Sequence, residues 1–329
     1  YRRGAGLEPL IVDVEDIMDE FNDGVSSPYA IRDFLAHALQ NWKQPPKYVV
    51  ILGDGSYDYR GIYKNYPTNL VPTLMVSTMY GLFASDNALA DVNGDFVPDV
   101  PIGRLPVLTP AELGAAIDRI IAYEQGPADS WMNNALFVAD RPDPRAGNFP
   151  EDSKALAGLF PPSYTTEPMV HLPAMSVTQA RSSMIARINQ GCSVWNYVGH
   201  SGYYVLTYSD LFTSSMADQL LSNGQKLPVL TAWSCAVGNF GMVGLESLAE
   251  VLMRSPNGGI IAAVGSTGLS DNPENVTIGA EFYSLRFAVG SPVLGDLLVG
   301  ALQGAAAKGV TPETLYLFGV IGDPALRMR

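Results

Sequence analysis

Two apolar stretches of the sequence each end in a side chain that can take part in covalent chemistry. Residues 194–202 read VWNYVGHSG, and residues 227–238 read LPVLTAWSCAVG. A buried strand that runs into a glycine-rich turn places its last residues at the carboxyl edge of a sheet, where open α/β sheets hold their active sites. If these two strands are neighbours, His200 and Cys235 lie close together. A cysteine beside a histidine is a nucleophile for acyl transfer, so the pair predicts a cysteine peptidase.

The alternative for a free cysteine is a buried core position, which is its commonest role. Cys192 fits that alternative because it opens the strand that leads to His200, whereas Cys235 lies beyond the end of its own strand. Since the two cysteines sit at opposite ends of these strands, we expect no disulfide bond. The backbone N–H groups of Cys235 and of Ser201 or Gly202 are candidates for an oxyanion hole, which needs small residues close to the reacting carbonyl group.

An acidic segment after residue 85 has the spacing of a metal-binding loop. Asp91, Asn93 and Asp95 place three oxygen-bearing side chains two residues apart, as in the first half of a calcium loop, and Asp86 precedes them. The match is partial, because glycine occupies the fourth position of the loop and Ile102 occupies the twelfth, where glutamate is expected. An ordinary Asx turn is the alternative. The spacing alone leaves both possibilities open.

Composition and element pattern define the class of protein. The chain has 329 residues and a net charge of −13, which excludes a surface for binding duplex nucleic acid. Its longest apolar run, at residues 258–265, is too short to cross a membrane. A strand at 10–14, a helix that starts at 27–28 and a strand at 48–52 predict an α/β fold with a parallel sheet. A Gly-Pro break at 126–127 marks the expected subdomain boundary.

Motifs along almost the whole chain resemble the catalytic region of the gingipain family of cysteine peptidases, in the caspase-like clan. The matching segments are residues 48–54 (YVVILGD), 84–86 (ASD), 93–95 (NGD), 101–104 (PIGR), 196–200 (NYVGH), 233–240 (WSCAVGNF), 265–267 (GST) and 318–324 (FGVIGDP). The resemblance implies a three-layer α/β sandwich of two stacked, mostly parallel-sheet subdomains at 1–126 and 127–329. It also implies that the family's first strand and helix are missing here, and that an N-terminal fragment or prodomain completes the first sheet.

The resemblance assigns roles to individual residues. It implies that Cys235 is the nucleophile, which forms a thioester, and that His200 is the general acid/base, which protonates the leaving amine. Gingipains carry a third, acidic residue just after the first strand of the second subdomain. The matching stretch holds Asp140, which we name first, and Asp143. Ser201 is a departure, because the family has glycine directly after the histidine.

The expected substrate pocket differs from that of arginine-specific gingipains. Those enzymes carry an acidic residue in the S1 pocket, and Phe149 lies nearest to that position here, so arginine specificity does not carry over. Asp271, in the loop after the strand at 259–264, is a candidate S1 carboxylate for a basic residue. The alternative for Asp271 is an ordinary solvated loop position.

Three functions are consistent with these features. The first, which we favour, is a secreted or cell-surface bacterial endopeptidase that cleaves protein or peptide substrates through Cys235 and His200, with structural Ca²⁺ and no organic cofactor. The second is a sortase-like transpeptidase of bacterial secretion, which would pass the acyl group from Cys235 to an amine. The third is a catalytically silent, calcium-stapled binding module, for which Ser201 is the one supporting feature. All three predict no nucleic-acid partner and no membrane span.

Overall fold

The computed structural model describes residues 1–66, 69–290 and 292–329. The strands in these residues are β1 (Val49–Leu52), β2 (Leu74–Thr78), β3 (Gly81–Ser85), β4 (Ile102–Leu105), β5 (Ala135–Ala139), β6 (Val170–His171), β7 (Val194–Val198), β8 (Ser201–Gly202), β9 (Val205–Leu206), β10 (Phe212–Thr213), β11 (Val229–Trp233), β12 (Ala262–Ser266) and β13 (Phe318–Ile321). The α-helices are α1 (Val14–Asn22), α2 (Pro28–Asn41), α3 (Asn87–Ala90), α4 (Pro110–Gln125), α5 (Phe149–Ala157), α6 (Val177–Gln190), α7 (Ala217–Leu220), α8 (Leu248–Arg254), α9 (Asn272–Ala288), α10 (Leu294–Ala307) and α11 (Pro312–Leu317). Short 3-10 helices lie at Arg2–Ala5, Ser130–Asn133, Leu172–Ala174 and Ser214–Met216.

A large sheet runs through the molecule in the strand order β1-β4-β13-β12-β11-β7-β5-β6. All neighbouring strands in it are parallel except β12 and β13, which are antiparallel. The carboxyl ends of β5, β7, β11 and β12 therefore meet at one edge of the sheet, and the strands from β13 to β1 run the opposite way. This edge carries the two predicted catalytic residues.

Alternate residues of the central strands pack on opposite faces of the sheet, as the strand period of two requires. In β5, Phe137 and Ala139 join one hydrophobic cluster, whereas Leu136 and Val138 join another. Side chains of α5, α9 and α10 cover the first face, and side chains of α6, α7 and α8 cover the second. The result is the helix–sheet–helix sandwich that buried, apolar parallel strands need.

The α/β class and the mostly parallel sheet are confirmed. The strands of the two predicted subdomains lie edge to edge in this one sheet, because β13 pairs with β4 on one side and with β12 on the other. Helix α4 ends where Gly126 caps it, but the boundary at residue 126 stays a prediction. In the part of the chain that the structure describes, no helix combines the length and apolar composition that crossing a bilayer requires.

The strand predicted at residues 10–14 does not form. Leu10 and Ile11 are 67% and 86% exposed in a segment without regular structure. Asp13 caps a helix instead: its side chain accepts the N–H of Glu15, and α1 begins at Val14. The apolar run at residues 10–14 overlaps a strong helix N-cap, and the cap favours a helix over a strand.

Candidate active site

The register of β7 and β11 brings the two predicted catalytic residues together. The two strands are parallel neighbours, and Val198 pairs with Trp233. His200 and Cys235 each follow two residues after this pair, so both leave the sheet at the same level on adjacent strands, which are about 4.8 Å apart. The Ser201 hydroxyl donates a hydrogen bond to the Cys235 carbonyl oxygen at 2.5 Å and joins the two loops directly.

The Cys235 thiol sits in a narrow turn. The next residue, Ala236, has a left-handed backbone with φ of 53°, and its N–H donates to the Gly268 carbonyl oxygen at 2.8 Å. A non-glycine residue in this conformation stores strain, which is common at functional sites. The Cys235 sulfur lies 3.4 Å from the carbonyl oxygen of Ser270 and 3.5 Å from its backbone nitrogen.

Burial raises the pKa of the Cys235 thiol, with a smaller contribution from the Asp271 carboxylate. Contacts with Ser270 oppose this shift without cancelling it. The protein therefore holds a neutral thiol at pH 7. A reaction at Cys235 must remove the thiol proton as the sulfur attacks. Cys192 is also a free thiol, and it is buried in the core as predicted.

His200 is held from three directions. Its Nε2 lies 2.9 Å from Oδ2 of Asp143. The Phe149 ring packs edge-on against the imidazole with centroids 5.1 Å apart, and the Tyr208 ring lies 4.7 Å away at an interplanar angle of 35°. Because Nε2 is occupied by the carboxylate, Nδ1 is the ring nitrogen left for proton transfer to a substrate.

The carboxylate that contacts the His200 ring is that of Asp143, not that of Asp140. The backbone N–H of Arg145 and the His200 ring lower the pKa of Asp143, so this carboxylate is ionised at neutral pH. Asp140 is buried, and its side chain accepts the N–H of Arg141 at 2.7 Å. Burial raises the pKa of Asp140. Its packing shapes the turn beside Gly199, where an added Cβ would lie 2.5 Å from the Asp140 Cβ.

The two predicted pocket residues occupy different environments. Phe149 is 1% exposed, and so it supports His200 and does not line an open pocket. Asp271 is exposed, accepts the Tyr80 hydroxyl at 3.1 Å and is close enough to Cys235 to influence its thiol. The neighbouring Asn272 donates to the Asp152 carboxylate at 2.8 Å.

Several contacts of the site have no signal in the sequence. Ser270 touches the Cys235 sulfur, Tyr208 stacks on His200 and Tyr80 reaches Asp271. Tyr80 lies in the tight turn between β2 and β3, far from Asp271 in sequence. No spacing rule connects such distant loops, and only their folded positions identify them.

The predicted metal residue Asp86 does not fit a calcium site. Both of its oxygens accept hydrogen bonds from the fully buried Arg104, at 2.8 Å from Nε and 2.7 Å from Nη2. The Thr73 hydroxyl donates to the same carboxylate at 3.0 Å. This carboxylate is committed to a buried ion pair, in which removing either partner would leave an uncompensated charge.

The loop that follows is satisfied by its own hydrogen bonds. The Asp91 carboxylate accepts the N–H groups of Gly94, Asp95 and Phe96, and Asn93 accepts a second bond from Asp95. These are Asx-turn contacts, the alternative that the spacing left open. In residues 1–66, 69–290 and 292–329, no group of three or more His, Cys, Asp or Glu side chains is placed to hold a metal ion. The calcium site stays a prediction.

Comparisons with known proteins show the family and the fold of this chain. The family model for peptidase family C25 matches residues 1–329. The fold resembles the crystal structure of the Arg-specific cysteine proteinase gingipain R, with a TM-score of 0.78 and 22% identity over 100% of this chain and 76% of that one. It also resembles the complex of the pro- and mature domains of RgpB from Porphyromonas gingivalis, with a TM-score of 0.77 and 22% identity over 96% of this chain and 77% of that one. No curated protein matches the chain. The match over the full chain shows that this protein belongs to peptidase family C25 and is a cysteine peptidase.

Proposed function

We propose that this cysteine peptidase is an endopeptidase in which Cys235 is the nucleophile, His200 the acid/base and Asp143 the residue that orients His200. The observation that carries the proposal is that Cys235 and His200 follow adjacent parallel strands at equivalent positions of the register. The hydrogen bond from Ser201 to Cys235 joins the two loops that hold them. A half-buried, neutral thiol next to a histidine held by a carboxylate suits acyl transfer from a peptide bond.

The reaction proceeds in two halves. The Cys235 sulfur attacks the scissile carbonyl carbon while its proton passes to His200, and His200 then protonates the leaving amine. The thioester remains on Cys235. Water then attacks the thioester carbonyl, its proton passes through His200 to the departing sulfur, and the acid product leaves. The Asp143 carboxylate stabilises the imidazolium that forms in each half and fixes the ring orientation.

The oxyanion of each half needs backbone donors. Cys235 supplies one N–H, and Ser201 or Gly202 supplies the other, as the sequence predicts. Ser201 lies where the family has glycine, and its hydroxyl donates a hydrogen bond to the Cys235 carbonyl oxygen. The serine side chain therefore links the two loops, and the Ser201 backbone N–H can still serve as an oxyanion donor.

The S1 pocket is proposed to accept a basic P1 residue. Asp271 is exposed beside the Cys235 thiol. Its carboxylate provides the negative charge that a basic side chain requires.

Secretion to the bacterial surface, a bound calcium ion and a prodomain partner are part of the same proposal. The prodomain rests on the similarity to a complex of pro- and mature domains. Calcium rests on the predicted loop at Asp91, Asn93 and Asp95, whose carboxylate and amide oxygens have the chemistry that Ca²⁺ prefers. Chelation of the purified enzyme, followed by measurement of its activity and thermal stability, tests whether calcium is bound at all.

The direct test is cleavage of a diverse peptide library by the wild type and by Cys235→Ala. Cleavage by the wild type alone supports the proposal, and the products report the P1 residue. An added amine nucleophile distinguishes hydrolysis from transpeptidation, because only a transpeptidase gives mainly amide products. If the wild type cleaves nothing and Cys235 resists thiol-directed inhibitors, the endopeptidase proposal is wrong.

A further inference from the structure

The loop between β9 and β10, residues 207–211, holds an aromatic ring in solvent directly beside the catalytic histidine. The Tyr208 side chain is 84% exposed although its ring contacts His200. A large aromatic side chain normally gains its stabilising free energy from burial. Because Tyr208 buries so little surface, packing in the free protein does not explain its position.

The same loop is strained and tightly fastened. Thr207 and Asp210 have left-handed backbones with φ of 65° and 51°, which is an outlier for a β-branched residue such as threonine. The Thr207 hydroxyl accepts the N–H groups of Ser209 and Leu211. Arg181 donates to the carbonyl oxygens of Asp210 and Leu211 at 2.5 and 3.0 Å.

The two ends of the loop are fixed as well. Leu206 and Phe212, which flank it, are fully buried, and the N–H of Thr207 donates to the His200 carbonyl oxygen at 2.9 Å. These contacts therefore hold the loop in a strained conformation. In this conformation the exposed Tyr208 ring packs on the imidazole of His200. Strain maintained in this way marks a functional position.

We propose that Tyr208 forms the S1′ subsite and selects an apolar side chain at P1′ of the substrate. This inference rests on the proposed function. The nitrogen that His200 protonates belongs to the P1′ residue and must come within hydrogen-bond distance of the imidazole. The side chain of that residue then lies next to the ring centred 4.7 Å from His200. A rigid aromatic face offers contact area at little entropic cost.

The charges around the ring favour an apolar side chain over a basic one. Arg141 reaches the Ser209 hydroxyl at 3.4 Å, next to Tyr208. His200 carries a positive charge at the moment of proton transfer. The Asp143 carboxylate offsets the charge of His200, so the repulsion that a lysine or arginine at P1′ would meet comes from Arg141, and it opposes the weak cation–π attraction of an exposed tyrosine ring.

The test compares peptides that share one P1 residue and differ only at P1′, which is phenylalanine, glycine or lysine. An ester with the same P1 residue and methanol as its leaving group lacks P1′ altogether. The wild type is expected to cleave the phenylalanine peptide with a kcat/KM about tenfold above that for the glycine peptide. Tyr208→Ala should lose this preference, so that its kcat/KM for the phenylalanine peptide falls to that for the glycine peptide, and Tyr208→Phe should keep the preference.

Tyr29→Ala is the control, since Tyr29 is a 59% exposed tyrosine on α2. A wild type that prefers glycine or lysine at P1′ overturns the proposal. So does a Tyr208→Ala enzyme that loses activity equally on all peptides and on the ester, because Tyr208 would then act only by positioning His200. If the wild type cleaves no peptide and no ester, the proposed function itself fails, and the subsite fails with it.

Discussion

The contact between Asp143 and His200 gives the sharpest test of the catalytic assignment. Two aspartates in one loop compete for the role of third catalytic residue, and only one of them touches the imidazole. Asp143→Asn keeps the size of the side chain and removes its charge, whereas Asp143→Ala removes the hydrogen bond as well. Asp140→Asn is the matched variant at the competing position.

The expected size of the effect follows from the geometry. The Asp143–His200 contact is one charge-assisted hydrogen bond of 2.9 Å, between side chains that are 34% and 23% exposed. Water screens this pair, so its loss should lower kcat/KM less than in a fully buried triad, by about tenfold for Asp143→Asn and up to about a hundredfold for Asp143→Ala. Asp140→Asn retains an oxygen that can accept the N–H of Arg141, and its effect should stay within about threefold.

The assay is steady-state cleavage of the best library peptide, with thermal unfolding of each variant as a check on folding. Rates of Cys235 labelling by a substrate-like thiol trap show whether the nucleophile remains in place. If Asp140→Asn is folded and loses as much activity as Asp143→Ala, then Asp140 is the catalytic carboxylate, and the assignment from the 2.9 Å contact is wrong.

Three further predictions concern the thiols and the buried charges. Because burial raises the pKa of Cys235, its alkylation by iodoacetamide should be slow at pH 7 and accelerate about tenfold per pH unit. Burial raises the pKa of Cys192 to about 12, so this thiol should react only in urea. Mass spectrometry measures both rates, and equal rates for the two thiols would contradict the prediction. Burial and a neighbouring carboxylate raise the pKa of Glu250 to about 8, so the folded protein keeps a proton that the unfolded chain loses above about pH 4.5. The free energy of unfolding should therefore fall as pH rises towards 8, and Glu250→Gln should make it less dependent on pH in denaturant titrations. The same pH dependence in the wild type and the variant would show that Glu250 is not the cause. Arg104→Met leaves the buried Asp86 carboxylate without its partner and should lower the free energy of unfolding by about 3–5 kcal/mol. A loss below about 1 kcal/mol in urea titration would contradict the role of this ion pair.

The sequence was sufficient to predict that His200 and Cys235 follow neighbouring strands at one edge of the sheet. Both residues follow continuous apolar runs, and a parallel strand places whatever comes next at its carboxyl edge. The alternation of apolar strands with helices along the chain made the α/β class predictable in the same way. These features depend on local patterns, which the chain carries within a few residues.

Side-chain partners from different loops were not predictable in this way. Asp140 and Asp143 are three residues apart, and the turn closed between Asp143 and Gly147 decides which one faces His200. The sequence could not distinguish them because a turn conformation depends on what packs against it. The same reason explains why Phe149, predicted to line a pocket, supports the imidazole.

The acidic loop and the N-terminal segment show the limits of spacing arguments. Asp86 has the right position for a metal ligand, but Arg104 comes from a strand that folding brings beside it. Leu10 and Ile11 have the composition of a strand, but a strand needs an edge to pair with, and the helix cap at Asp13 turns the chain away. The sequence by itself determined the class of fold and the placement of the two candidate catalytic residues after neighbouring strands. Only the tertiary structure decided which carboxylate contacts the histidine, which one pairs with arginine and which aromatic ring packs on the imidazole, because those contacts join segments that packing brings together.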